Sequence, residues 1–412
     1  MTSAAAIDCD VLVLGAGPAG STTATHLARA GFDVVLADQK AFPRQKPCGE
    51  FLSPECRPYL AELGVDEVLR AAGVRLVHGM QLHAGDTAAR GAFRALGDRP
   101  HAHSGYAVRR EVLDLLLLDA ARARPEVRWL ERARFRELLR GDDGRIVGAR
   151  LRYGDGELVV RARRVIGADG VRSQVAAGLG VQRALGWLDR LALVGRFDGV
   201  PPAAAAEVHF VPGGYFAATT VDDDTFHLNL VVDRRAPGLR DGDLDAFVAA
   251  HLQQAPRLQQ RMADARRLQP WRGTGPLAFR TTRQALPGAA LVGDACGYVD
   301  PLTGEGIYFA LHGARALAAA LEQGRAAPRR AAAALRGYER ERRREVGPRS
   351  MLSRLLQRGM RRPWIVDRVV GLLAAHPSVC DLLVTMTGDT VHPRDLLRPS
   401  FWRQWRATGV TP

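Results

Sequence analysis

The chain has almost no lysine. Only Lys40 and Lys46 occur among 58 basic residues, so the formal net charge of +14 rests almost wholly on arginine. Those arginines lie scattered among alanines and glutamates on helix-patterned segments, and no helix-turn-helix, RNA-binding or zinc-finger spacing accompanies them. Such a skew reads as arginine-biased composition rather than a phosphate-binding surface, and no nucleic-acid partner is expected. Cysteine is also sparse: Cys9, Cys48, Cys56, Cys296 and Cys380 are odd in number and far apart. That argues against a disulfide framework and for a reducing compartment, the cytoplasm. No CxxC pair and no HExxH is present, so no metal is expected. No apolar run reaches 18 residues and no charged-then-apolar leader is found, so neither a membrane span nor a signal segment is expected.

What is present is enough apolar material for a large core. With 47% hydrophobic and 25% charged residues, 412 residues should form two lobes and a tail. The organising stretch is CDVLVLGAGPAG at 9–20. Residues 9–14 read as a buried strand, Gly15, Gly17 and Gly20 as a turn, and 21–30 as an amphipathic helix. The first glycine permits a tight turn, the second lets backbone approach a pyrophosphate, and the third lets helix and strand pack closely. The helix amino-terminus then offers unpaired N–H groups to the phosphates. A second apolar run, 34–37, ends in Asp38, 18 residues past Gly20, where a ribose-binding carboxylate belongs. With strand, helix, second strand and acid all present, the motif implies a bound dinucleotide.

Downstream, residues 39–58 are rich in Pro and Gly and should form an irregular loop beside the cofactor. In it Cys48 is either a small buried hydrophobe or a group lying against the cofactor's reactive ring, flanked by Gly49 and Glu50. Residues 58–72 are predicted helical, 110–122 strongly so, and 74–107 to carry short strands. Segments 127–130, 145–153 and 157–160 suggest a β-meander, with 164–166 as a further short strand. Segments 191–197, 207–211, 214–220 and 225–232 suggest an antiparallel sheet with one covered side, its Phe226, Leu228, Leu230 and Val232 facing inward. Residues 243–267 read as helical. Residues 289–292 form a strand before GDACG at 293–297 and DPLTGEG at 300–306, which lead into a helix over 307–323. From Ala331 the chain is helical and arginine-rich.

The ordered set of GAGPAG, Asp38, Arg110 with Leu113 and Leu117, GADGVRS at 167–173 and GDACGYVDPLTGEGI at 293–307 resembles FAD-dependent enzymes of the para-hydroxybenzoate hydroxylase fold. FPRQKPCGEFLSP at 42–54 and DPLTGEGIYFAL at 300–311 are most similar to its geranylgeranyl-reductase-like branch. The resemblance implies an α/β chain: a Rossmann-like FAD-binding domain of glutathione-reductase type, an inserted antiparallel-sheet substrate domain and a helical C-terminal tail. Its expected bounds are 1–180 with 273–330 for the FAD domain, 181–272 for the substrate domain (joined by 75–107) and 331–412 for the tail.

Carried over by residue, the resemblance places Gly15, Gly17, Ala19 and Gly20 at the FAD pyrophosphate and Asp38 at the adenosine ribose. It places Gln39, Arg44, Arg110 and Asp169 in the cofactor's surround. Asp294 would meet the ribityl chain. Pro301, Gly304, Gly306 and Ile307 would bring a helix amino-terminus to the flavin pyrimidine edge. Cys48 and Glu50 are expected near the isoalloxazine, where either could give a proton if burial raised its pKa. Tyr215 is a pocket candidate. Ala176 stands where the hydroxylases carry an arginine, and residues 213–219 lack the Trp and Pro of the prenyl reductases' tunnel motif. The WxWxIP of flavin halogenases is missing, so halogenation is not expected.

The expected activity is reduction or other tailoring of a hydrophobic polyene, prenyl or polyketide-like molecule, with NADH or NADPH as reductant. Hydroxylation by an NAD(P)H-dependent flavin monooxygenase is the alternative, and a non-catalytic flavoprotein a third. The Arg-rich tail could also form a peripheral membrane or carrier-protein contact.

Overall fold

The computed structural model describes residues 5–96, 99–222, 225–240 and 242–407. Of the expected regions, 97–98, 223–224, 241 and 408–412 lie outside the described residues.

The strand Ala5–Leu14 lies between Gly156–Gly167 and Val34–Asp38, parallel to both. Val127–Glu131 extends the sheet on one edge and Ala289–Leu291 on the other, again in parallel. A strand covered on both faces must be apolar throughout, and Val11, Leu12 and Val13 are wholly buried. On one face, helices Pro18–Arg29 and Gly306–Ala326 supply Leu27 and Leu317, and Leu118 joins them from Arg110–Arg122. On the other, an antiparallel extension packs Leu151 and Val160 against Leu12 and Val35.

The expected meander needs correcting in detail. Segment 127–130 is an edge strand of the parallel sheet, and the meander's outer strand is Arg134–Arg140, whose charge-rich sequence RFRELLR concealed it. The pieces at 157–160 and 164–166 are one strand of 12 residues, pairing with the meander on one side and the parallel sheet on the other. The single helix expected over 58–72 is two, Cys56–Glu62 and Val65–Ala71, separated by Gly64 with φ +76°. Residues 243–267 likewise divide into Leu244–Leu252, Pro256–Arg261 and an edge strand at Arg266–Arg267.

The second large sheet runs, in spatial order, Arg266–Arg267, Arg190–Asp198, Thr225–Asp233, Gly214–Asp222, Ala206–Val211, Gly79–Ala84 and Thr87–Ala92. It is antiparallel except where Ala206–Val211 meets Gly79–Ala84 in parallel. The expectation of one covered side fails. Phe226, Leu228 and Leu230 do face the helices 244–261, but Val231 and Tyr215 on the opposite face are equally buried. That second face closes over the FAD-binding lobe, so its polar residues His227 and Asn229 point into the interior rather than to water. The tail begins with the 29-residue helix Ala331–Gly359, followed by Pro363–Ala375 and Pro377–Thr387. No single helix among the described residues is long and apolar enough to cross a membrane.

Candidate active site

The carboxyl ends of the parallel strands open into a cavity of about 710 Å³, the place where open α/β sheets bind ligands. Gly15, Gly17, Ala19, Asp38, Gln39, Arg44, Arg110, Asp169, Asp294, Pro301, Gly304, Gly306 and Ile307 all line it, as does Cys48. Each glycine of the first loop has its own task. Gly15 turns at φ +104°, and a Cβ there would sit 2.5 Å from the Ala168 carbonyl oxygen. A Cβ on Gly20 would stand 1.7 Å from the Gly15 carbonyl oxygen, so this glycine seats helix on strand. Gly20 is not on the cavity wall, which corrects its expected place at the pyrophosphate. A Cβ on Gly17 would meet only the Arg44 guanidinium at 3.2 Å and that of Arg110 at 4.0 Å. The open space beside Gly17 is therefore faced by two cations.

Those cations are held by Asp114, one turn beyond Arg110 on the same helix. Arg110 grips it through Nε at 2.8 Å and a terminal nitrogen at 2.9 Å, while Arg44 approaches to 3.4 Å. Two guanidiniums on one carboxylate leave a positive excess, and the buried Nε of Arg44 has no acceptor. Lys46 joins them, its ammonium pKa lowered by enclosure and then by Arg110. Asp38 shapes the turn: its Oδ2 accepts the Ala16 N–H at 2.9 Å and its Oδ1 the Lys40 N–H at 2.9 Å. Asp169 lines the cavity, but its carboxylate is engaged by the Ser173 hydroxyl at 2.6 Å and the Gln174 N–H at 2.7 Å. It thus caps the helix Gln174–Gly178.

Glu50 stands behind Cys48 rather than on the wall. Its carboxylate pairs with Arg196, which also binds Glu111, and lies 2.9 Å from His227 Nδ1. His227 donates from Nε2 to the Cys48 carbonyl oxygen at 2.6 Å. Burial would raise the Glu50 pKa, but His227 and Arg196 outweigh it and hold the carboxyl at about 2. The expectation that burial makes Glu50 a proton donor is therefore corrected: it is an anion that ties the Cys48 loop to the second sheet. Tyr215 is also corrected. It is fully buried behind the wall, where its hydroxyl donates to Asp300 Oδ1 at 2.5 Å.

Several wall residues carried no signal in sequence. Asp114 could have been found from its i,i+4 spacing to Arg110. Arg342, Ser350 and Ser353 reach the cavity from the tail helix, and nothing distinguishes Arg342 from the exposed arginines beside it. Behind them Arg349 is buried among Glu305 at 3.4 Å, Glu345 at 3.2 Å and Asp389 at 3.0 Å. Arg349 so joins the tail to the amino-terminus of Gly306–Ala326, where no side chain caps the first turn.

A second cavity, of about 460 Å³, lies between the second sheet and the tail. Met80, Leu82, Val208 and Phe210 form one side, and Ile365, Val366 and Leu383 the other. It abuts the first at Thr303, which lines both. One cluster of metal-ligand type also occurs: His83, Glu207 and His209, on the sheet's far side. Arg261 already pairs with Glu207, and His83 and His209 stack face to face at 4.2 Å, so their lone pairs run parallel instead of converging.

Residues 8–348 match the family described as FAD binding domain. The chain belongs to this family. Among its relatives is digeranylgeranylglycerophospholipid reductase 2 of Methanopyrus kandleri, 31% identical over 316 residues, which are 74% of this chain and 74% of that one. Ubiquinone hydroxylase UbiL of Rhodospirillum rubrum is 31% identical over 334 residues, 75% of this chain and 71% of the relative. Among solved structures, the myxobacterial chondrochloren halogenase CndH superposes with a TM-score of 0.77 at 28% identity, covering 82% of this chain and 80% of its own. The flavoprotein thus has the para-hydroxybenzoate hydroxylase fold and the geranylgeranyl-reductase likeness that its motifs carry.

The wall fits FAD. Gly17 leaves room for the pyrophosphate where Arg44 has an unmet donor, and the uncapped helix at Gly306 offers partial positive charge to the flavin's pyrimidine edge. The protein is an FAD-dependent oxidoreductase.

Proposed function

We propose that this flavoprotein reduces carbon–carbon double bonds of a hydrophobic prenyl- or polyene-like molecule, with NADH or NADPH as electron donor. The apolar cavity of about 460 Å³ supports this reading, because it meets the cofactor cavity at Thr303 and is walled largely by aliphatic side chains. Likeness to geranylgeranyl lipid reductases favours reduction over other flavin chemistry. Bound FAD supplies hydride chemistry, while the chain's residues orient the double bond, exclude water and furnish a proton. The mouth of the apolar cavity carries the exposed Leu355 and Val369 beside Arg358 and Arg362, with Trp364 nearby. This pattern suits a lipid-bearing, anionic membrane surface.

The test is anaerobic turnover of a geranylgeranyl ether lipid with NADH or NADPH, read by mass spectrometry. Two added hydrogens per reduced double bond are expected. An unchanged lipid with every reductant would sink the proposal. Trp364→Glu together with Leu355→Glu should weaken co-sedimentation with anionic vesicles; unaltered binding would remove the membrane contact. Hydroxylation is the second reading, favoured by the likeness to a ubiquinone hydroxylase. Heavy-isotope O2 appearing in the product would establish it.

A further inference from the structure

The partition between the two cavities is a single turn. Asp300 and Pro301 face the cofactor cavity, Leu302 the apolar one, and Thr303 both. Asp300 begins the turn by accepting the Leu302 N–H at 3.0 Å on Oδ1, the oxygen that also takes the Tyr215 hydroxyl at 2.5 Å. Its Oδ2 is buried and has no partner. A bare oxygen on an enclosed carboxylate is costly unless it carries a proton or meets a ligand.

The groups that face this carboxyl are Tyr215 and Arg190 from the second sheet and Tyr298 from its own loop. Arg190 spends its donors elsewhere, on the Gly213 carbonyl at 2.6 Å and Gln357 at 3.2 Å. No cation pairs with Asp300 directly. Burial therefore dominates over the Tyr215 hydrogen bond and lifts the carboxyl to about 6. Glu50, by contrast, is locked as an anion by Arg196 and His227.

Resting on the reductase reading above, we propose that Asp300 is the acid that protonates the substrate, from Oδ2, and that Tyr215 is its positioning residue. The double bond takes a hydride from reduced flavin at one carbon and the Asp300 proton at the other, so the carbon–carbon π bond breaks and two C–H bonds form. The alkene is reduced, the flavin is left oxidised and Asp300 is left as carboxylate. Solvent returns the proton, and a dihydronicotinamide returns the two electrons.

Two measurements on the full chain test this. Infrared spectroscopy of the purified protein should show a protonated-carboxyl C=O band that vanishes as pH rises through about 6. The band should be missing in Asp300→Asn and should titrate at higher pH in Tyr215→Phe, where the anion loses a donor. In turnover of the geranylgeranyl ether lipid, Asp300→Asn should lower kcat about 100-fold or more with KM and FAD affinity kept. Wild-type kcat should fall above pH 6, and that fall should move upward in Tyr215→Phe. Absence of the band, or a wild-type rate and pH profile in the variants, overturns the proposal. If Asp300→Asn does not fold, an unshifted pH profile in Tyr215→Phe overturns it equally. A wild-type enzyme that reduces the lipid beside an unimpaired Asp300→Asn refutes only this assignment, whereas an inactive wild type refutes the reductase reading with it.

Discussion

Glu50 and Asp300 are both buried carboxyls within the loops of one site, and their neighbours send them in opposite directions. Glu50 faces Arg196 and His227 and is held near 2, below its ordinary 4.5. A depressed carboxyl contributes stability above its unfolded pKa, and that contribution is lost as pH falls through the folded value. Its share is on the order of 3 kcal/mol from the size of the shift. Glu50→Gln should thus lower the unfolding free energy at pH 7 by about 3 kcal/mol and flatten the loss of stability between pH 4.5 and 2. Denaturant unfolding across that pH range checks it, and a variant as acid-sensitive as wild type would contradict the assignment. The sequence showed Glu50 to be close to the cofactor loop, but its protonation depends on Arg196 and His227, which lie about 150 residues away along the chain.

At the scale of elements, the βαβ unit was legible because its constraints are local. Glycine spacing and apolar periodicity act within 30 residues, and the helix Arg110–Arg122 matched its expected bounds for the same reason. The two loop glycines separate packing from binding. Gly20→Ala should destabilise the fold by about 3 kcal/mol, since its Cβ would lie 1.7 Å from a carbonyl oxygen of rigid backbone. Gly17→Ala should leave the melting temperature of the cofactor-free protein nearly unchanged and weaken FAD binding at least tenfold, because only flexible arginine ends yield to it. Thermal melts and flavin fluorescence titration distinguish the two, and equal effects on both would contradict the division of roles. Elements set by remote partners were less legible. Arg134–Arg140 is a strand because it completes a meander, although its charged sequence lacks a clear alternation.

Across the whole molecule, the tail is part of the enzyme's interior. Arg349, only 2% exposed, binds Glu305 beside the flavin site and Asp389 beyond the long helix. Removing one partner from such a network leaves unpaired buried charge, so Arg349→Met should cost about 3–5 kcal/mol. It should also make the tail more susceptible to limited proteolysis. A melting temperature within a degree or so of wild type would show that the network contributes little. The same tail closes the apolar cavity through Ile365 and Val366, so substrate volume is decided jointly by segments from 80 to 384.

By itself the sequence determined the dinucleotide fold, the FAD family and most of the cofactor wall, because backbone approach and helix dipoles are written in glycine spacings a few residues long. Only the tertiary structure decided which acids keep a proton, which sheet face is enclosed and what the tail does. Glu50 is an anion and Asp300 is not because of charges delivered by other elements. The physical reason is range: sterics and hydrogen bonding in a turn act between neighbours, whereas desolvation and charge pairing depend on everything that folds around a group.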